Sequence, residues 1–122
     1  MSPFFPAFLR RWRGETELSS ARVARYYDDW HERYMAAFGD TFQSQRTGEL
    51  GELFTHIADQ AELVPGMRVL DAGCGIAGPA LWLARHRGVN VSAVNISAVQ
   101  VAEARERIGA AGLGDRVVVS LG

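Results

Sequence analysis

Lysine is absent from this sequence: all 13 basic residues are arginine, and 14 acidic residues bring the formal net charge to −1. No global basic field exists of the kind that draws a protein to nucleic acid, so the charge balance points to a small-molecule partner or to none, and to no nucleic acid. The arginine bias itself reads as genomic base composition rather than chemistry. Cysteine is nearly absent too. The single Cys74 rules out an internal disulfide, and no Cys/His cluster has the spacing of metal ligands, so no metal is expected and the cytoplasm is the expected setting. Long apolar runs are also missing. The stretch from Ser2 to Trp12 is mostly apolar but too short to span a bilayer, and the basic residues Arg10, Arg11 and Arg13 come at its end, the reverse of a signal peptide's order. It reads as an N-terminal arm packing on the body, without stable membrane insertion, the alternative being a peripheral membrane or partner contact.

With 48% hydrophobic residues in 122, the chain can form one core and is at most one domain. Between Ser19 and Phe38, the residues Val23, Tyr26, Tyr27, Trp30, Tyr34 and Phe38 recur at three- and four-residue steps with charges between them. This predicts an amphipathic helix capped by Ser19 or Ser20 and stopped at Gly39, its aromatics serving as core or interface residues. Asp40 to Thr47 reads as a loop. A second helix is predicted from about Glu49 to Leu63, with Leu50, Leu53, Phe54, Ile57 and Ala61 on one face, ended by Pro65-Gly66.

The period then changes. Arg68 to Ala72 is a predicted strand, Pro79 to Arg87 a helix, Val89 to Asn95 a strand, Ala98 to about Ala111 a helix, and Arg116 to Leu121 a third strand rich in β-branched residues. Ser97-Ala-Val-Gln100 fits a capping box, in which Ser97 caps the fourth helix and the Gln100 side chain reaches back to the Ser97 amide. A strand-helix-strand-helix-strand order with short connections makes a βαβαβ unit with right-handed crossovers and parallel strands. The fold class expected is therefore α/β: a Rossmann-like, doubly wound parallel sheet, incomplete because only the βαβαβ half is present, preceded by N-terminal helices. Parallel strands are normally covered on both faces. These residues are thus expected to be the N-terminal part of a longer protein or to need a partner, with the third strand's open edge covered by a homo-oligomer contact, a complementing chain or the N-terminal helices.

The chemistry concentrates in Met67-Arg-Val-Leu-Asp-Ala-Gly-Cys-Gly-Ile-Ala-Gly-Pro-Ala-Leu-Trp-Leu-Ala84, an apolar strand that ends in an acid and breaks into a glycine-rich turn before a helix. Glycine lets the backbone approach a ligand and take positive φ. Such a turn at the carboxyl end of a parallel strand is the layout of a nucleotide or cofactor pocket. Gly73, Gly75 and Gly78 satisfy G-x-G-x-x-G, which by itself also fits a dinucleotide-binding fragment of an NAD-dependent oxidoreductase. Asp71 argues against that reading. An acid at the strand tip repels a pyrophosphate and suits a cationic group such as an amino acid's ammonium.

Val69-Leu-Asp-Ala-Gly-Cys-Gly75 resembles motif I of class I S-adenosylmethionine-dependent methyltransferases. Ala61-Glu-Leu-Val-Pro-Gly66 resembles the approach to that strand, and Asn95-Ile-Ser-Ala-Val-Gln100 resembles the second cofactor segment of the small-molecule and cyclopropane-synthase-like branches. The resemblance runs from about residue 15 to 122 and speaks to the cofactor, not the substrate. It implies that residues 49–122 are the first half of a cofactor-binding domain and residues 1–48 a helical arm and lid. Asp71, Ala72, Gly73, Cys74 and Gly75 then hold the methionine part of S-adenosylmethionine, while Asn95, Ile96 and Gln100 lie at the ribose. Many relatives carry an acid where this chain has Asn95, so Gln100 is the stronger candidate for a ribose contact, the capping box being its alternative role. Tyr27 and the loop residues Phe42 and Gln43 are candidates to line the site from the lid. Cys74 reads as a pocket wall, with no base assigned to it, and His31, His56 and His86 as surface or half-buried residues. No catalytic residue is assigned. The resemblance implies methyl transfer to a small-molecule acceptor, the alternative being a non-catalytic, truncated S-adenosylmethionine-binding module.

Overall fold

A computed structural model describes residues 19–38 and 49–122. The elements run α1 (Ser20–Phe38), α2 (Leu50–Gln60), β1 (Arg68–Ala72), α3 (Gly78–Arg87), β2 (Asn90–Asn95), α4 (Ala98–Ala110) and β3 (Val117–Leu121). The alternation after Gly66 therefore folds as the period change predicts, with small shifts at the ends. One shift has a local cause. The helix expected to reach Leu63 stops at Gln60, because Ala61 and Glu62 form a turn in which Glu62 adopts φ 51°. The loop from Asp40 to Thr47, the arm from Ser2 to Trp12, and both Phe42 and Gln43 lie outside the described residues.

The three strands form one parallel sheet in the order β1-β2-β3. Register aligns Val69 with Val91 and Val91 with Val117, then Asp71 with Ala93 and Ala93 with Val119. These side chains share one face, and α3 and α4 both pack on it. Ala77, Ala80, Leu83 and Ala84 from the first crossover and Val101, Ala104 and Ile108 from the second close the core over Val91, Ala93, Val117 and Val119. Both helices lie on the same face because successive right-handed crossovers moving in one direction across a sheet put them there. The alanines let the helix backbones sit close to the strands. Around this body α2 packs on α3, with Phe54 against Trp82 at 5.6 Å, and α1 packs on α4.

The opposite face of the sheet carries Leu70, Ser92 and Val118 in register and is uncovered among the described residues. Leu70 is 69% and Val118 60% exposed, unlike the continuously buried strands of a complete doubly wound sheet. The outer edges of β1 and β3 are both without a strand partner among the described residues, and α1 sits on α4 rather than over β3.

Candidate cofactor site

The turn after β1 is built by backbone chemistry. Gly73 and Gly75 adopt φ 80° and 57°, the left-handed region where a side chain costs energy, and the space a Cβ would take at either is open. The Gly73 and Cys74 amides both donate to the Val94 carbonyl, at 2.8 and 3.1 Å, so the turn is tied to the end of β2. Ala77 then caps α3 with φ 66°, and Pro79 occupies the first helical turn, where its missing N–H has no partner to lose.

A cavity of about 430 Å³ opens at the carboxyl ends of β1 and β2. Gly73, Cys74, Gly75, Ile76 and Pro79 form one wall, and Val94, Asn95 and Ile96 from the tip of β2, with Gln100 from α4, form the next. The third wall is α1, through Tyr27, His31, Tyr34 and Met35. The volume falls in the range of small-molecule and cofactor sites. Of the residues singled out in the sequence, six meet here: Gly73, Cys74, Gly75, Asn95, Ile96 and Gln100, joined by Tyr27. Asp71 and Ala72 do not line the cavity. Asp71 points to the helix-covered face of the sheet, half-buried, and its Oδ2 is buried with no hydrogen-bond partner; burial holds its carboxyl above the usual carboxylate range.

Cys74 is buried, and its thiol is pushed up to about 11, chiefly by burial and then by the neighbouring Asp71 charge. At neutral pH it is a protonated, apolar piece of wall rather than a nucleophile.

At the ribose end the expected capping box forms only by half. Ser97 Oγ accepts from the Gln100 amide at 3.2 Å, but the Gln100 side chain does not return to the Ser97 N–H. Its Oε1 instead accepts from Asn95 Nδ2 at 2.7 Å. The buried Asn95 amide lies within reach of the same oxygen, and it wins the competition.

Sequence periodicity missed how α1 is fastened. Asp28 accepts hydrogen bonds from the fully buried Ser97 hydroxyl and, at 3.3 Å, from the Val99 amide, so an acid from α1 sits on the N-terminus of α4. Three residues further along α1, His31 pairs through Nε2 with Glu103. His31 is therefore not the surface or half-buried residue expected: it is 7% exposed, because α1 lies on α4 and its partner is on that helix. Tyr26 and Tyr27, expected in a core or interface, are 46% and 39% exposed, Tyr27 at the wall of the cavity. Tyr26 and Tyr34 share a hydroxyl–hydroxyl hydrogen bond of 2.8 Å, which together with burial pushes Tyr34 up to about 12. His86 stacks on Trp82 at 4.5 Å, and His56 is exposed. Among the described residues no group of three or more His, Cys, Asp or Glu could hold a metal ion, and no helix is long and apolar enough to cross a membrane.

Comparison with known proteins places these features. Residues 50–122 match the family described as mycolic acid cyclopropane synthetase. The methyltransferase GfsG of Streptomyces halstedii is 36% identical over 112 residues, which cover 84% of this chain and 40% of that protein. Among solved structures, the [4+2]-cyclase SpnF superposes with a TM-score of 0.74 at 28% identity, covering 89% of this chain and 44% of the other. A SAM-dependent methyltransferase from Geobacter sulfurreducens in complex with S-adenosyl-L-homocysteine gives a TM-score of 0.54 at 32% identity, over 58% of this chain and 28% of that one. The chain thus spans less than half the length of each of these proteins.

Proposed function

The chain belongs to the mycolic acid cyclopropane synthetase family, and we propose that it supplies the S-adenosylmethionine-binding half of a methyltransferase acting on a small-molecule acceptor. The observation that carries this reading is the cavity itself, where a glycine turn at the tip of β1 and an amide pair at the tip of β2 face one space. The chemistry of the lining suits the cofactor. Glycine backbone leaves room beside the turn, and Gln100 offers an amide to hydroxyl groups; behind the lining, the buried oxygen of Asp71 is an acid still lacking a partner. The bound S-adenosylmethionine would supply a methyl group on a sulfonium leaving group, so the protein's task is positioning and exclusion of water.

In this reading Gly73, Cys74 and Gly75 cradle the methionine end, Asp71 favours its ammonium by charge from behind the turn rather than by lining the cavity, and Ala72 sets the turn's start. Asn95, Ile96 and Gln100 form the ribose end, while Tyr27, His31, Tyr34 and Met35 shield the cavity from solvent. Residues 49–122 are the cofactor half, and residues 1–48 contribute an arm and lid of which α1 is part. The sheet face and the two strand edges left open among the described residues fit a body completed by further polypeptide, either a complementing chain or a second copy. The cytoplasm is the setting in which the free thiol of Cys74 and this cofactor are both expected.

A second reading has its own support. The SpnF relative is described as a cyclase, so a cofactor-type fold of this kind can serve a reaction other than methyl transfer. Calorimetry of the full chain with S-adenosylhomocysteine and with NAD tests the cofactor: saturable binding of the first and none of the second is expected, and NAD binding alone would overturn the proposal. Production of S-adenosylhomocysteine from S-adenosylmethionine, assayed with extract metabolites as acceptors, then separates methyl transfer from binding without turnover.

A further inference from the structure

We propose that Asn95 is a positioning residue that fixes which way Gln100, the ribose contact of the cofactor reading above, presents its amide; this deepens that reading and rests on it. Asn95 is 7% exposed and its polar atoms are spoken for. Nδ2 donates to the Gly75 carbonyl at 3.2 Å and to Gln100 Oε1 at 2.7 Å, and Oδ1 accepts from the Ile96 amide at 2.9 Å.

The orientation of this amide is set by backbone groups that cannot change roles. A carbonyl can only accept and an N–H can only donate, so flipping Asn95 would put its oxygen against the Gly75 carbonyl and its NH2 against the Ile96 N–H. With Asn95 fixed, its second N–H faces Gln100. Gln100 must turn its oxygen inward to receive it, which leaves its own NH2 as the group directed to the cavity it lines. Both donors of Asn95 are consumed, leaving one Oδ1 lone pair, whereas Gln100 keeps two donors. Where an acid at this strand tip would receive protons from ribose hydroxyls, this chain offers them protons instead. The same Asn95 contact also ties the Gly75 carbonyl to β2, so one side chain links the methionine and ribose ends of the site.

The test is calorimetry on the full chain with two ligands, S-adenosylhomocysteine and its 2′,3′-dideoxy counterpart. Gln100→Ala should weaken S-adenosylhomocysteine by about tenfold and the dideoxy ligand far less, as expected for loss of one hydrogen bond to a ribose hydroxyl. Asn95→Ala should show the same ligand dependence in the Gln100 background, yet lose that dependence once Gln100 is already alanine, because it acts through that side chain. A hydroxyl-dependent Asn95→Ala penalty that persists without Gln100 would mean direct contact and overturn the proposal, and so would an equal penalty on both ligands, which would make Asn95 a loop scaffold only. Asn95→Asp keeps the shape and carries the test should the alanine variant fail to fold. It should bind S-adenosylhomocysteine more weakly than the parent, since a carboxylate cannot donate to Gly75 or Gln100, and binding as tight as the parent's would also overturn the inference. A parent chain that binds neither ligand defeats the cofactor reading itself and this inference with it, a different result from uncoupled variants of a chain that binds.

Discussion

Removing the Asp28 carboxylate should loosen α1 from α4 and open the cavity at the same time. Asp28 receives the Ser97 hydroxyl and the Val99 amide, groups 69 and 71 residues away in sequence. A hydrogen bond to a charged group contributes about 1.5–3 kcal/mol. A carboxylate at a helix N-terminus adds about 0.3–1 kcal/mol through the macrodipole. Against this, the Ser97 hydroxyl keeps its other role as acceptor from the Gln100 amide, so the variant does not orphan it entirely. Asp28→Ala should therefore cost about 2 kcal/mol, which for a body of this size lowers Tm by roughly 8–16 °C. Asp28→Asn keeps an acceptor oxygen and loses only the charge, so about half that loss is expected. Urea unfolding with the slope held common reads the difference, and the exposed neighbour Asp29 is the control, with Asp29→Ala expected within about 0.5 kcal/mol of the parent. Because α1 carries Tyr27, His31, Tyr34 and Met35 into the cavity wall, S-adenosylhomocysteine affinity should fall along with stability. Equal urea midpoints for Asp28→Ala and Asp29→Ala would refute the latch.

Gly75→Ala meets no neighbour within 4 Å, so its cost is backbone strain at φ 57°, about 1–2 kcal/mol by thermal or urea unfolding; an unchanged midpoint would show that the turn relaxes freely. Asp71 carries a carboxyl whose folded pKa is raised by burial above 3.8, so the stability linked to its proton is present below that value and is lost as pH rises through the folded pKa. Asp71→Asn should accordingly stabilise the ligand-free chain at neutral pH, with no gain under acid, while weakening S-adenosylhomocysteine binding; a pH-independent difference would contradict this. Leu70→Ser and Val118→Thr on the bare sheet face should each change unfolding by less than about 0.5 kcal/mol, yet reduce self-association in sedimentation, and an unaltered association state would remove that face from consideration.

Local signals carried most of the fold. β1 and its turn were legible because a short apolar run, an acid and closely spaced glycines constrain neighbouring residues only, and the period change after Gly66 separated the helices from the sheet. Even the bare face left a trace. Val117-Val118-Val119 is apolar at consecutive positions, the pattern of a strand meant to be covered on both sides, and Val117 and Val119 are buried while Val118 is not. What could not be read was polar pairing at long range. Asp28 and His31 stand three apart on one face of α1, but nothing periodic says that Ser97 and Glu103 will be opposite them. Gln100 shows the same limit within five residues. Its spacing from Ser97 satisfies the capping-box pattern, yet the outcome depends on a competing donor, Asn95, whose own orientation is dictated by the Gly75 carbonyl and the Ile96 amide. A sequence motif names the side chains available to a site; which of their atoms face the ligand is decided by backbone groups that can only donate or only accept, and those are set by the fold.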